Sequence, residues 1–169
     1  MKNRREVFGT LIGTGAVLAA GSAAANPVAL DLAGLKRDTD LACLYHCDFG
    51  DPARFSQMLQ NMLNHYSAYD FDPLKLKLVI VAHGAGIKFF LEDLSGTQWE
   101  KETIDPDIYK RFTGLTKYGV EAYLCRITYQ RLKIDPAKTR KDAFLKFVPS
   151  GVATVGELQA KGFSYLKVG

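Results

Sequence analysis

The chain has 169 residues and 18.7 kDa, room for one domain of ordinary size, and its three cysteines are too few for a disulfide scaffold. Apolar residues at 47% and charged residues at 24% exclude disordered, collagen-like, low-complexity and multi-span membrane classes. The net charge is +4, of which Lys2, Arg4 and Arg5 against Glu6 contribute +2, so the remainder carries too little charge to call for nucleic acid.

Residues 1–25 read as an address. Met1-Lys-Asn-Arg-Arg-Glu-Val-Phe8 is a basic head, a mildly apolar run rich in Gly, Ala and Thr follows, and Ala23-Ala24-Ala25 supplies small residues for a signal peptidase. The paired Arg4-Arg5 and the weakly hydrophobic middle are similar to a twin-arginine signal, which exports folded proteins. A retained anchor is the competing reading, because Val7 to Ala25 is nearly long enough to span a bilayer. Its scarcity of Leu, Ile and Phe and its cleavable end favour export to a bacterial periplasm, with no stable membrane insertion after cleavage.

Residues 26–40 read as an irregular leader, and 41–169 as the folded domain. Leu41 to Cys47 is a short apolar strand ending in the loop Asp48-Phe-Gly-Asp-Pro52. A helix follows, with Phe55, Met58, Leu59, Met62, Leu63 and Tyr66 on one stripe, Asp51 as its cap and Pro52 at its first position. The methionines on that stripe are core and not a metal box. Leu76 to His83 is a nearly continuous apolar strand of the kind buried on both faces. Gly84-Ala-Gly86 turns the chain, and Ile87, Phe90, Leu91 and Leu94 predict a second helical stripe.

Asp105-Pro106 caps a third helix carrying Tyr109, Phe112 and Leu115 and stopped by Gly119. Val120 to Cys125 is a strand, followed by a helical turn Arg126-Ile-Thr-Tyr-Gln. Asp135-Pro136 opens a polar helical stretch, Phe147-Val148-Pro149 is a short strand, Val152 to Lys161 a helix, and Phe163 to Val168 a closing strand. Five strands alternating with helices predict a three-layer α/β/α sandwich with a five-stranded, mostly parallel sheet of flavodoxin-like type. Ligands in such sheets bind outside the carboxyl ends of the strands.

Three strands end in reactive side chains: His46-Cys47, His83-Gly84 and Cys125-Arg126. Cys125 closes a strand, opens a helical turn and adjoins a guanidinium, a setting that favours thiolate. A thiolate can attack sulfane sulfur, form a persulfide or exchange with a disulfide. The bland reading is a packed thiol, since free cysteine is among the most buried residue types. Cys43 and Cys47, four apart on an extended strand, lie about 13 Å apart, beyond the roughly 7 Å limit for a disulfide. Cys43 therefore reads as core, and Cys47 as a second thiol that could meet Cys125. His83 reads either as a proton shuttle or as a tether for the glycine turn.

No paired C-x-x-C or H-x-x-x-H frame supports a metal. The spacing after His83 matches neither G-x-G-x-x-G nor a P-loop, and no G-x-S-x-G elbow is present. No cofactor is implied.

These residues together carry a resemblance. His46-Cys-Asp-Phe-Gly-Asp-Pro52 with Gln60-Asn-Met-Leu-Asn64, Val79-Ile-Val-Ala-His-Gly-Ala-Gly86, Tyr118-Gly-Val-Glu-Ala-Tyr-Leu-Cys125 and Val148-Pro-Ser-Gly-Val152 with Glu157-Leu-Gln-Ala-Lys-Gly-Phe-Ser-Tyr-Leu-Lys167 resemble the DsrE/DsrF-like family of sulfur-relay proteins, in its exported branch. The resemblance spans nearly all of Leu41 to Gly169. It implies a three-layer sandwich that assembles into trimers or hexamers, and a family cysteine, here Cys125, that carries sulfur as a persulfide. Cytoplasmic relatives usually continue Cys-Gly-Asn where this chain has Cys125-Arg-Ile-Thr128, a departure that bears on substrate and partner.

The expectation is a periplasmic sulfur carrier or sulfurtransferase. Cys125 would be its nucleophile, with Arg126, His83, His46 and Cys47 around the bound sulfur, and inorganic sulfur species or a sulfur-carrying protein would be its partner. The alternatives are a non-enzymatic small-ligand-binding protein with a structural Cys125, and a thiol–disulfide protein pairing Cys47 with Cys125.

Overall fold

The computed structural model describes residues 27–169, and the export signal expected over 1–25 lies outside them. Strand β1 (Val28–Ala29) lies in the segment expected to be irregular. Strand β2 (Leu41–Cys47) leads into helix α1 (Pro52–Ser67), then strand β3 (Leu76–Ala82) and a 3-10 segment over Gly84–Phe90. Helix α2 (Pro106–Thr116), strand β4 (Glu121–Cys125) and helix α3 (Arg126–Arg131) follow. Strand β5 (Leu145–Val148), helix α4 (Gly151–Ala160) and strand β6 (Ser164–Leu166) complete the domain. No helix among the described residues is long and apolar enough to cross a membrane.

The six strands form one sheet in the order β1-β5-β4-β3-β2-β6, with every pairing parallel. The sheet thus has one strand more than the five expected. The addition is β1, whose Val28 and Ala29 pair with Lys146 and Phe147 of β5. Two residues are too few to show a periodicity of their own, and this strand exists because β5 offers an open edge.

The parallel sheet is covered on both faces, as its apolar strands require. One face carries Cys43, Tyr45, Cys47, Leu78, Ile80, Ala82, Ala122 and Leu124 against the stripes of α1 and α2, Phe55, Met58, Met62 and Phe112 among them. The other carries Ala42, Leu44, Val79, Val81, Tyr123 and Val148 beneath Leu158 of α4 and Phe163. Asp51 caps α1 by accepting from the Arg54 amide at 2.7 Å, with Pro52 at the first helical position. Leu63, expected on the buried stripe of α1, sits at its margin and is 38% exposed.

The segment after His83 departs from expectation. It forms 3-10 turns and not an α-helix with one apolar stripe. Gly84 holds a left-handed φ of +54°, and Gly86 through Phe90 are all buried, so this stretch has no wet face. Gly86 is required by close approach, because a Cβ there would fall 2.1 Å from the Cys47 carbonyl oxygen.

Candidate functional site

Strand alternation decides which reactive side chains meet. Cys47 shares its face with Cys43 and Tyr45, packed toward α1. His46, one residue earlier, therefore faces α4. Ala82 and Leu124 belong to the α1 face, so His83 and Cys125, each one residue later, also turn toward α4. The register pairs Ala82 with Leu124, which sets His83 beside Cys125 one step beyond the last paired residues.

Cys125, 4% exposed, stands at the N-terminal end of α3. It lines an open cleft of about 360 Å³ together with His83, Gly84, Ile127, Thr128, Arg131, Leu132, Ser150 and Val152. Four contacts hold this cleft in shape. The Gly84 amide donates to Thr128 Oγ1 at 3.0 Å, tying the turn after β3 to α3. The His83 amide donates to the Cys47 carbonyl at 3.1 Å. Gly151 at the start of α4 lies so close to His83 that a Cβ would fall 2.8 Å from the histidine Cβ. Ser150 caps α4, its hydroxyl accepting from the Ala153 amide at 3.3 Å.

The histidines form a chain. His83 Nε2 lies 2.6 Å from His46 Nε2, and His46 Nδ1 lies 2.9 Å from the Tyr165 hydroxyl on β6. Burial holds both imidazoles below the ordinary histidine value, outweighing the upward pull of the Asp48 carboxylate. The cleft therefore meets a neutral imidazole at neutral pH, able to take up a proton.

Cys47 lies elsewhere. It is fully buried, its thiol is pushed far up by desolvation, and the glycine turn closes over its sulfur. Cys47 is in register with Ala82, and Ala82 with Leu124, so two strand spacings, about 10 Å, separate Cys47 from the end of β4. That distance exceeds the roughly 7 Å a disulfide can span. The two thiols also point to opposite faces, so the expected second thiol does not join the cleft and a Cys47–Cys125 disulfide has no route in this fold.

Arg126 is likewise apart. It is exposed, and its guanidinium lies 5.8 Å from the centre of the Phe147 ring, lining a separate cleft of about 450 Å³ with Tyr129, Gln130 and Lys133. The cation that lines the Cys125 cleft is Arg131, at the far end of α3. Sequence reasoning missed Arg131, Thr128, Ser150 and Tyr165. Tyr165 is in register with Leu44 on the α4 face, but that register is invisible before the strands are paired. Among the described residues, no group of three or more His, Cys, Asp or Glu side chains converges to hold a metal ion.

The arrangement offers a thiol at the floor of an open cleft, a neutral imidazole beside it, a hydroxyl pair and a guanidinium at the walls, and apolar edges at Ile127 and Val152. A solved structure of a protein of unknown function from Methanobacterium thermoautotrophicum superposes with a TM-score of 0.59 at 19% identity, covering 76% of this chain and 99% of that one, a likeness of fold. No curated protein matches the chain. The model of the DsrE/DsrF-like family matches residues 41–168, the whole of the sheet from β2 onward with its helices, and the chain belongs to that family.

Proposed function

We propose that the protein is an exported, homo-oligomeric sulfur carrier that holds sulfane sulfur as a persulfide on Cys125. The observation that carries this reading is the separation of the three thiols. Cys43 and Cys47 are packed into the α1 face of the sheet, whereas Cys125 lines an open cleft with an imidazole and a guanidinium. Membership of a family associated with sulfur relay supports the same chemistry. The basic, twin-arginine-like N-terminus supports export to the periplasm.

The chemistry is redox-neutral. Cys125 loses its proton to His83, and the thiolate attacks the outer sulfur of a donor persulfide RS–SH. A new S–S bond forms on Cys125, the donor S–S bond breaks, and RS⁻ leaves to be protonated, giving Cys125–S–SH and RSH. Arg131 is the cation within the cleft that can attract an anionic donor such as a polysulfide or thiosulfate.

Intact-mass measurement of protein purified without reductant tests this reading. Treatment with polysulfide should add whole sulfur atoms, dithiothreitol should remove them, and Cys125→Ser should prevent the gain. An undiminished gain in that variant would overturn the assignment. No gain in the wild type would leave Cys125 as a packing residue and the cleft as a small-ligand site.

A further inference from the structure

His83 reaches the Cys125 cleft with one ring nitrogen already engaged. Its Nε2 faces His46 Nε2 at 2.6 Å, with the rings 4.8 Å apart and tilted by 40°. Two imidazole nitrogens at that distance hold one proton between them, one donating and the other offering its lone pair. His46 Nδ1 continues the chain to the Tyr165 hydroxyl at 2.9 Å. Tyr165 stands on the edge strand β6 and is 41% exposed, so the far end of the chain meets water.

Two arrangements satisfy every contact. In one, Tyr165 donates to His46 Nδ1, His46 Nε2–H donates to His83 Nε2, and His83 carries its single ring proton on Nδ1. In the reverse, His83 Nε2–H donates to His46, His46 Nδ1–H donates to the tyrosine oxygen, and His83 Nδ1 is a free base. A proton taken up at His83 Nδ1, with a shift at each link and one proton released from the tyrosine hydroxyl, converts the second arrangement into the first.

Resting on the sulfur-carrier reading above, we propose that His83, His46 and Tyr165 form a proton relay that carries the Cys125 thiol proton from the cleft to solvent at the sheet edge. His83 is the group that exchanges the proton with Cys125. His46 and Tyr165 are positioning residues that act through it. An outlet is needed where the donor is anionic: polysulfide or thiosulfate brings its outer sulfur without a proton and leaves as an anion, so the Cys125 proton, which RS⁻ takes up in the persulfide case, has to leave the cleft as Cys125–S–S⁻ forms. A proton entering at His83 releases one to water from the tyrosine hydroxyl, so no charge is left on the imidazoles.

The charged and titratable groups facing the chain suit this role. Asp48, in the loop after β2, acts electrostatically on both rings. Cys125 and Arg131 face His83 across the cleft from β4 and α3. The start of α4 contributes Ser150, Gly151 and Val152, none of which ionises in this range. Burial disfavours a charged imidazole at both positions, so a proton passes through the pair without being stored on it.

The test is the rate of persulfide loading from polysulfide, read by intact mass in single turnover and followed against pH. Wild type, His83→Gln, His46→Gln and Tyr165→Phe are compared, with Cys125→Ser as the blank. Glutamine at position 46 can still hydrogen-bond to both neighbours but cannot take up and pass on a proton. A relay therefore predicts that His46→Gln and Tyr165→Phe, which act through His83, load about tenfold more slowly near neutral pH, less than the roughly 10²–10⁴-fold of a positioned acid–base group. The deficit should close above about pH 9, where a thiol ionises without a base. Added imidazole should restore His46→Gln.

A purely structural role for His46 predicts that any loss in His46→Gln is independent of pH and unaffected by imidazole. That outcome, or unchanged rates in both variants while the wild type loads, overturns the relay and leaves the carrier standing. A wild type that never loads overturns the carrier, and the relay with it.

Discussion

Cys47 and Cys125 both end strands and both are buried, yet their surroundings give them different chemistry. Desolvation against the α1 face raises the Cys47 thiol, and the backbone at Gly86 closes over its sulfur, leaving no path for a reagent. Gly86→Ala should be costly, since the added Cβ meets backbone at 2.1 Å and the turn itself must move. We expect a loss of about 1–3 kcal/mol, the usual range for overpacking. Cys47 should also become accessible to alkylation in the folded protein. Thiol counting by mass, with and without urea, checks both points: a variant as stable as wild type with Cys47 still protected would show that the turn yields without strain. Arg126 and Arg131 make a similar pair. Adjacency in sequence pointed to Arg126, but the first residue of α3 turns toward Phe147, and the guanidinium five positions later lines the cleft.

At the scale of elements, the same dipeptide has three outcomes. Asp51-Pro52, Asp105-Pro106 and Asp135-Pro136 each place an aspartate that accepts from an amide two or three residues on. The first opens a 16-residue helix, the second an 11-residue helix, and the third a three-residue 3-10 turn. The cap starts a helix, but burial of an apolar stripe sustains it. Phe55 to Tyr66 and Ile108 to Leu115 supply stripes, whereas Ala137 to Asp142 does not. Asp51→Ala should therefore cost about 1 kcal/mol, and Asp135→Ala, at an exposed turn, less than that. Urea denaturation of the two variants decides, and equal losses would contradict the argument. The stretch after His83 shows the converse: its apolar spacing suited a helix, but enclosure on all sides and two glycines gave 3-10 turns.

For the whole molecule, the histidines set a pH limit. His46, His65 and His83 are all held below their ordinary value by desolvation. Their folded-state values are depressed, so as pH falls the unfolded chain takes up protons first, from about 6.5. The imidazole contribution to stability is then complete above that pH and lost below it. The urea midpoint should fall between about pH 7.5 and 5.5, and the fall should shrink in His46→Gln. A flat midpoint across that window would show imidazoles equally hydrated in both states.

Composition and periodicity were enough to reach the α/β class, the two long capped helices, the buried central strands and the gathering of His and Cys at the strand ends. Each of these follows from local spacing and from the burial it demands, and spacing is written in the chain. Pairing is not. That β1 joins β5, that Tyr165 lies in register with Leu44 and reaches His46, and that Cys47 and Cys125 face opposite sides of the sheet depend on strand order and register. A single residue of phase separates one face of a strand from the other. Residues at 46, 83, 125 and 165 come together only because four strands align them, and that alignment is fixed by packing across the whole sheet.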